Sequence, residues 1–250
     1  MNSLFISEII MKKNHDINYS IYPFSLPVVR HLDRLLLNSR VTFFVGENGT
    51  GKSTLMEAIA INYGFNPEGG SRNFNFTTAN THSDLFKHIT LAKGPYIPKD
   101  GYFLRAESYY NVATEIDRMD SEPSFDPPLK EAYGGKSLHD QSHGESFLSL
   151  ILNRFFGNGL YLLDEPEAAL SPSRQMALIS RINELEKQNS QFIIATHSPI
   201  LLAYPGSQIY VFSQDGISLT PYEKTEHYTL TKQFLNNPRG ILKHLIDQDS

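Results

Sequence analysis

Short, almost entirely apolar stretches recur along the chain and are separated by longer segments with helical periodicity. Residues 4–10, 41–45, 101–106, 160–163 and 191–195 form such runs, each of a length typical of a strand. Strands that are apolar throughout are typical of parallel sheets covered on both faces. The alternation of these strands with helices therefore predicts an α/β fold with a mostly parallel core sheet.

The segments between these strands predict helices. Residues 52–63 are apolar on most sides and are followed by Gly64, so we expect a buried central helix that ends there. Residues 172–187 place Leu178, Ile179, Ile182 and Leu185 on one face, which is typical of an amphipathic helix. Further helices are predicted near 83–91, at 109–119, at 145–156 and as two short C-terminal pieces.

The remaining segments predict loops and irregular chain. Residues 21–30 are expected to be extended chain interrupted by two prolines, and residues 65–99 to be mostly loop around the short helix. Residues 120–136 contain three prolines and predict a loop, and residues 209–219 predict a hairpin around Asp215-Gly216.

Composition narrows the function classes. The chain has 250 residues, of which 40% are hydrophobic and 20% charged, so a substantial core is expected and wholesale disorder is not. The absence of cysteine excludes disulfides, thiolate catalysis and cysteine metal sites, and it fits a reducing cytoplasm. The net charge of −5 does not indicate a surface that binds nucleic acid as a whole. No stretch approaches the roughly 20 apolar residues of a membrane span.

The segment between the second apolar run and the central helix has the spacing Gly, four free positions, Gly-Lys-Ser. In this pattern the glycines let consecutive N–H groups point at phosphate oxygens, and the helix N-terminus adds partial positive charge. Lys52 would reach the outer phosphates and Ser53 would ligate magnesium. The alternative is a glycine turn with a surface lysine. The predicted nucleotide-binding residues are Gly46, Glu47, Asn48, Gly49, Thr50, Gly51, Lys52, Ser53 and Thr54.

Two adjacent carboxylates, Asp164 and Glu165, follow the apolar run 160–163. On a parallel strand they would lie at the carboxyl end, where α/β sheets bind ligands. Asp164 would hold magnesium directly or through water, and Glu165 would polarise an attacking water. The alternative is structural, because Asp-Glu-Pro is also an ordinary helix start.

Two further segments are candidates for the same site. His197 follows the run 191–195 and would contact a γ-phosphate or hold the water with Glu165, although a histidine after a strand is usually structural. Ser142, Gly144 and Glu145 open the helix at 145–156, where they would form a phosphate site. Ser142 and Glu145 also have capping-box spacing, and the two interpretations are compatible.

The order of these segments resembles the ABC-type ATPases, a group that includes transporter subunits and soluble SMC-like and RecF-like ATPases. Residues 46–53 resemble Walker A and residues 160–165 resemble Walker B with its catalytic glutamate. Residues 168–171 resemble the D-loop and His197 the switch histidine, although Ser171 is also placed to cap the helix that follows. Residues 142–146 resemble the signature motif, which in this family contacts the γ-phosphate of the opposite subunit.

The sequence departs from the family pattern at the signature motif and at the Q-loop. In the signature, Gln141 replaces leucine and His143 replaces the first glycine; His143 would make dimerisation pH-sensitive or merely fill space. No glutamine matches the Q-loop residue that contacts magnesium in this family, and Glu107 or Ser108 would replace it. The alternative is that residues 102–108 are only a strand with an ion-paired end at the surface. The adenine-stacking aromatic is expected to be Tyr22 or Phe24.

The resemblance implies a P-loop NTPase fold in which residues 1–250 form one ATPase domain. It implies an N-terminal antiparallel β portion and a small helical or signature subdomain at 65–157. The cofactors implied are ATP and Mg²⁺, with Glu165, Lys52 and His197 catalytic and with Ser53 and Asp164 as metal ligands. The expected state is an ATP-dependent, two-fold homodimer in the cytoplasm, coupled to an unknown protein partner or to nucleic acid. The alternatives are the ATP-binding subunit of an ABC transporter, a P-loop kinase and a non-hydrolysing ATP-binding module.

Overall fold

The computed structural model describes residues 4–12, 17–71, 82–106, 109, 114, 118, 120 and 143–246. Within these residues the strands are β1 (Ile6–Met11), β2 (Arg34–Leu36), β3 (Val41–Gly46), β4 (Gly70–Ser71), β5 (Ile89–Lys93), β6 (Asp100–Arg105), β7 (Gly159–Asp164), β8 (Gln191–Ala195), β9 (Gln208–Ser213) and β10 (Gly216–Leu219). The helices are α1 (Pro27–His31), α2 (Lys52–Tyr63), α3 (Leu85–His88), α4 (His143–Arg154), α5 (Pro172–Lys187), α6 (Pro199–Leu202), α7 (Glu226–Asn236) and α8 (Pro238–Ile246).

The main sheet has the strand order β10-β9-β3-β8-β7-β6-β4. Its five central strands are parallel, and the outer strands β10 and β4 pair antiparallel. β3, β7 and β8 are buried along their whole length, which explains why their sequences are apolar throughout. Since Phe44 and Asp164 both pair with Ala195, the carboxyl ends of these three strands meet at one edge of the sheet. The prediction of a mostly parallel α/β core is confirmed.

A smaller antiparallel sheet has the order β2-β1-β5 and confirms the predicted N-terminal antiparallel portion. The central helix α2 lies between this sheet and one face of the main sheet, with Leu55, Met56 and Ile59 fully buried. Helices α4 and α5 cover the opposite face. The first residues of α2 are thereby held at the carboxyl edge of β3.

A buried glutamine at the start of β8 ties the small sheet to the main one. Gln191 Oε1 accepts hydrogen bonds from the backbone N–H groups of Phe5 and Ile6, at 2.8 and 3.0 Å. Gln191 Nε2 donates to the carbonyl of Ile6 at 2.8 Å, and the side chain is fully buried. This one amide therefore satisfies three backbone groups of the N-terminal strand.

Replacing Gln191 with leucine is expected to lower the free energy of unfolding by about 2–5 kcal/mol, because buried backbone groups lose their partners. Urea unfolding followed by circular dichroism measures this loss. Gln233→Leu, on the exposed surface of α7, is the matched control and is expected to change stability little. Equal midpoints for the two variants would show that the amide does not join the sheets.

Most predicted elements are confirmed. The helices 52–63 and 172–187 and the strand 191–195 have the predicted bounds, and α2 ends at Gly64 in a left-handed conformation. The hairpin β9–β10 and the two C-terminal helices are also present. Of the predicted helix 109–119, the described residues Tyr109, Thr114 and Arg118 are helical. Asp120, the first residue of the predicted loop 120–136, is also helical, so the loop prediction is wrong there; the rest of that loop lies outside the described residues.

Two predictions about irregular chain are wrong in part. Residues 21–30 are not simply extended, because Pro27 begins the short helix α1, in which its missing N–H costs nothing. Val28 and Val29 of that helix are buried. In 65–99 the short helix is present, but β5 was not predicted, although Ile89 and Leu91 alternate with more exposed neighbours.

No helix in the described part of the chain combines the length and the apolar character needed to cross a bilayer.

Candidate functional site

The loop between β3 and α2 is shaped by two glycines. At Gly46 an added Cβ would lie 2.3 Å from the carbonyl oxygen of Phe212 on the neighbouring strand. Gly51, the residue before α2, has a φ of 102°, and a Cβ there would lie 2.5 Å from Val28 Cγ1. Both positions therefore require glycine, for close approach at Gly46 and for close approach and conformation at Gly51.

Lys52, the first residue of α2, folds back on this loop. Its Nζ donates to the carbonyl oxygens of Gly46 at 2.7 Å and Glu47 at 3.1 Å, and only 4% of the residue is exposed. Burial lowers the pKa of the ammonium, and the carboxylates of Glu165, Asp164 and Glu167 partly oppose that shift. The structure thus places a buried cation over the loop and excludes the alternative of a surface lysine.

The two predicted metal ligands are in contact. Ser53 Oγ donates to Asp164 Oδ1 at 3.0 Å, so the start of α2 meets the end of β7. Arg105, at the end of the adjacent strand β6, places its Nε 3.6 Å from Asp164 Oδ2. Arg105 also pairs with Glu57 on α2 at 3.2 Å. Arg105 was not predicted, although its position at a parallel strand end is a signal that sequence analysis could have used.

Glu165 follows β7 in a left-handed backbone conformation, with φ 53° and ψ 51°, which is uncommon for a residue other than glycine. Its N–H donates to the carbonyl of Ala195 at 2.9 Å. Its Oε1 lies 3.6 Å from His197 Nε2, so β7 and β8 bring the predicted base and the predicted switch histidine together. Strained conformations of this kind are concentrated at functional sites.

Glu167 also belongs to this cluster and was not predicted as a site residue. Its carboxylate accepts a hydrogen bond from the N–H of His197 at 2.5 Å. Burial raises the pKa of this carboxyl, while the hydrogen bonds from His197 and Thr196 lower it. Glu167 follows Asp164 by three residues, but the sequence alone did not show that its carboxylate contacts His197.

A cavity of about 720 Å³ opens beside the loop. One wall consists of the loop itself and the ends of the central strands, including Gly46, Glu165 and His197. The opposite wall comes from the β9–β10 turn and from α7. His227 of α7 places its Nε2 3.2 Å from His197 Nδ1. His227 lies 30 residues along the chain from His197, and no sequence signal connected the two.

The predicted signature segment is only partly described. Ser142, Gln141 and the side chain of His143 lie outside the described residues. Gly144 is buried, and a Cβ there would lie 2.5 Å from the carbonyl of Ala169 and 2.6 Å from the Arg174 guanidinium. Glu145 is exposed and pairs with Arg174 at 3.2 Å. The glycine thus has a packing role within its own chain, whereas Glu145 remains accessible on the surface.

Gln175 of α5 contacts the segment 168–171, which resembles the D-loop. Gln175 Nε2 donates to the carbonyl of Leu170 at 3.0 Å, and its Oε1 accepts from Ser198 Oγ at 2.5 Å. Ser171 occupies the N-cap position of α5, but its side chain makes no capping hydrogen bond. The structure thus couples the segment before α5 to the residue that follows His197.

Two further predictions concern the aromatic residue that would stack on adenine and the residue that would replace the Q-loop glutamine. Phe24 is buried and packs edge-on against His88, whereas Tyr22 is 62% exposed. Neither of them lines the described cavity. Glu107 and Ser108 lie outside the described residues.

This arrangement fits a triphosphate and a divalent cation. The first N–H groups of α2 have no acceptor inside the helix, and Lys52 adds a charge beside them. Ser53 and Asp164 are oxygen donors of the kind that Mg²⁺ prefers. Glu165 and His197 border the same cavity, so a nucleophilic water and a phosphoryl group would both be within reach.

Two family models match the chain, and both are described as AAA domains. One matches residues 18–104. The other matches residues 138–203, and its description also names a candidate AbiEii toxin of a type IV TA system. Together the matched segments contain the loop, the carboxylates and His197.

Two curated relatives are similar to this chain over more than three quarters of their length. An uncharacterised ABC transporter ATP-binding protein of Haemophilus influenzae is 26% identical, with 87% of this chain and 88% of that protein covered. The hemin import ATP-binding protein HmuV of Rhodopseudomonas palustris is 24% identical, with 78% of each chain covered.

Solved structures share the fold. The protein cbiO1 of Clostridium perfringens, part of the ABC transporter complex cbiONQ, superposes with a TM-score of 0.51 at 16% identity, covering 98% of this chain and all (100%) of that one. A nucleotide-free ATP-binding cassette from an ABC transporter superposes with a TM-score of 0.50 at 17% identity, covering 94% and 96%.

Proposed function

Because the chain carries a P-loop ATPase domain of the AAA/ABC type, we propose that it binds ATP with Mg²⁺ and hydrolyses it in a head-to-tail homodimer. The observation that carries this proposal is that Glu165 and His197 line the cavity beside the same loop on which the buried Lys52 ammonium is held, at the carboxyl edge of the sheet.

The roles follow from the contacts. The N–H groups at the start of α2 and the ammonium of Lys52 would bind the β- and γ-phosphates. Ser53 and Asp164 would hold Mg²⁺, which, when bound, neutralises charge that develops on the phosphates. Glu165 would accept the proton of the attacking water. His197, with a buried Nε2 facing Glu165, would donate to the γ-phosphate.

The dimer is proposed because neither Gly144 nor Glu145 of the same chain lines this cavity, so the signature groups that would contact a γ-phosphate there would come from another copy. In the proposed sandwich, Ser142, Gly144 and Glu145 of a second copy would supply them. The exposure of Glu145 supports this part, since its side chain lies on the surface, where it is accessible to a second copy. A two-fold arrangement would make two such composite sites from one self-complementary surface.

The same chemistry would serve the ATP-binding subunit of an ABC transporter. The similarity to HmuV and to the relative from Haemophilus influenzae favours this second candidate. The departures at Gln141 and His143 favour the stand-alone dimer. Isolation of a stable complex with a membrane protein would make the transporter subunit the better-supported candidate. The cytoplasmic location and the partner stay predictions. The helical subdomain at 65–157 also stays a prediction, although β6, which lies inside that range, belongs to the main sheet.

The proposal is tested with the purified wild-type chain. We expect Mg²⁺-dependent release of phosphate from ATP without an acceptor molecule, which separates an ATPase from a kinase. Light scattering should show a monomer with ADP and a dimer with a non-hydrolysable ATP analogue. Phosphate release by a chain that stays monomeric at saturating ATP would support the hydrolase and refute the sandwich.

A further inference from the structure

The helix α7 brings a second histidine to the candidate site. His227 lies in its first turn and lines the cavity beside the loop, together with Glu226 and Leu230 of the same helix. Its Nε2 lies 3.2 Å from His197 Nδ1, and the two ring centroids are 5.4 Å apart. His227 is therefore in hydrogen-bond contact with the nitrogen of His197 that faces away from Glu165.

The position of His227 is set by contacts at the start of α7. Thr225, the N-cap residue, is buried; its Oγ1 donates to the carbonyl of Tyr222 at 2.7 Å and accepts from the N–H of Tyr228 at 3.4 Å. The Tyr222 hydroxyl donates to the carbonyl of Pro199 at 2.9 Å. Because Pro199 begins α6 two residues after His197, the two histidines are held by the same local framework.

The hydrogen bond between the rings constrains the tautomer of His197. Two neutral imidazoles share one proton in such a contact, so one nitrogen donates and the other accepts. Burial and the nearby Lys52 lower the pKa of His197, which Glu165 partly opposes, and burial also lowers the pKa of His227. Burial therefore favours the neutral form of both rings, and a neutral imidazole has a defined tautomer.

The surroundings of His197 decide the direction of the bond. His197 Nε2 is buried, lies 3.6 Å from the Glu165 carboxylate and has no hydrogen-bond partner among the described residues. A proton on Nε2 would face this acceptor, whereas a lone pair would face a carboxylate oxygen unfavourably. His197 Nδ1 is then the acceptor, and His227 Nε2–H is the donor.

We propose that His227 is a positioning residue that keeps the proton of His197 on Nε2, from which the N–H can donate a hydrogen bond to the transferred phosphoryl group or to Glu165. The consequence of this tautomer for catalysis rests on the proposed function, whereas the tautomer itself does not. The proposal gives α7 a role in the site, which is to fix the tautomer of His197. Neither the P-loop nor the carboxylates supply this role.

Two substitutions separate this role from a structural one. His227→Gln keeps an N–H donor at nearly the same reach, whereas His227→Met fills the space without a donor. We expect His227→Met to lower kcat for ATP by about 2- to 10-fold, as for one neutral hydrogen bond, with the KM unchanged within about two-fold. His227→Gln should stay within about two-fold of the wild type. Gln233→Met, on the exposed surface of α7, is the control and should have no effect.

The tautomer is measured without hydrolysis. In ¹⁵N NMR spectra of the imidazole rings, with the His197 signals assigned from a His197→Gln variant, the wild type and His227→Gln should show a proton on Nε2. His227→Met should show a mixture of tautomers. Thermal melts confirm that each variant is folded.

An unchanged tautomer in His227→Met, or equal kcat values for the Gln and Met variants, would overturn the inference. A higher kcat in His227→Met would also overturn it, because α7 would then obstruct the site. If the wild type releases no phosphate while the NMR spectra behave as expected, the proposed function fails and the positioning of His197 by His227 stands.

Discussion

Glu165→Gln is expected to lower the turnover number for ATP by about 10²–10⁴-fold, the usual contribution of a general base. Glu165 lies at the end of β7 in a left-handed conformation and faces His197 across 3.6 Å. Glutamine has the same length and shape as glutamate, so the cavity and the loop are preserved while the proton acceptor is lost. The KM for ATP should change little, and single-turnover phosphate release measures the effect directly.

The same variant tests the sandwich. If hydrolysis releases the dimer, Glu165→Gln should accumulate as an ATP-bound dimer in light scattering, whereas the wild type returns to monomer as ATP is consumed. Glu223→Gln removes an exposed carboxylate near the start of α7 and is the matched control. A Glu165→Gln chain that remains monomeric with ATP would count against the sandwich, and one that hydrolyses normally would remove Glu165 from the mechanism.

Lys52→Met is expected to weaken ATP binding by about 10- to 100-fold, the equivalent of losing charge-assisted hydrogen bonds worth about 1.5–3 kcal/mol. Lys52 Nζ is the buried cation at the loop, where it donates to the carbonyls of Gly46 and Glu47. Titration with a fluorescent ATP analogue measures the affinity. Saturating ATP should also raise the melting temperature of the wild type, and this rise should disappear in the variant.

The nucleotide-free Lys52→Met protein should be as stable as the wild type or more stable. Burial lowers the pKa of Lys52 below its value in the unfolded chain. A lysine with a lowered folded pKa binds its proton less well in the folded state, so its charge opposes folding at every pH below that folded pKa. Replacing it removes this penalty and offsets the two lost hydrogen bonds. Lys187→Met, an exposed lysine at the end of α5, is the control. A variant that unfolds without nucleotide but binds ATP normally would show a structural role instead.

Much of the fold could be predicted because its local patterns are consistent with its tertiary structure. The bounds of α2, α5 and β8 follow from apolar runs and from the stop at Gly64, and the structure agrees with them. The two failures have different local causes. Pro27 was interpreted as an interruption of extended chain although it begins α1. The residues of β5 were divided between the predicted short helix near 83–91 and the loop after it, because five residues form too short a pattern to identify a strand.

The sequence by itself determined the groups that we propose to act on phosphate. The loop 46–53, Asp164, Glu165 and His197 each follow a strand, and the carboxyl ends of parallel strands necessarily meet at one edge. Motif spacing therefore predicted the side of the sheet on which these residues converge, before any contact between them was known.

Only the tertiary structure decided which other side chains complete the site. Arg105 reaches Asp164 because β6 pairs with β7, and His227 reaches His197 because α7 folds back over the cavity. Glu167 receives the N–H of His197 from a neighbouring strand end. Contacts of this kind depend on strand order and helix packing between residues distant in sequence. The strand-end position of Arg105 could be found in the sequence, but the partner that each of these side chains contacts became visible only in the folded protein.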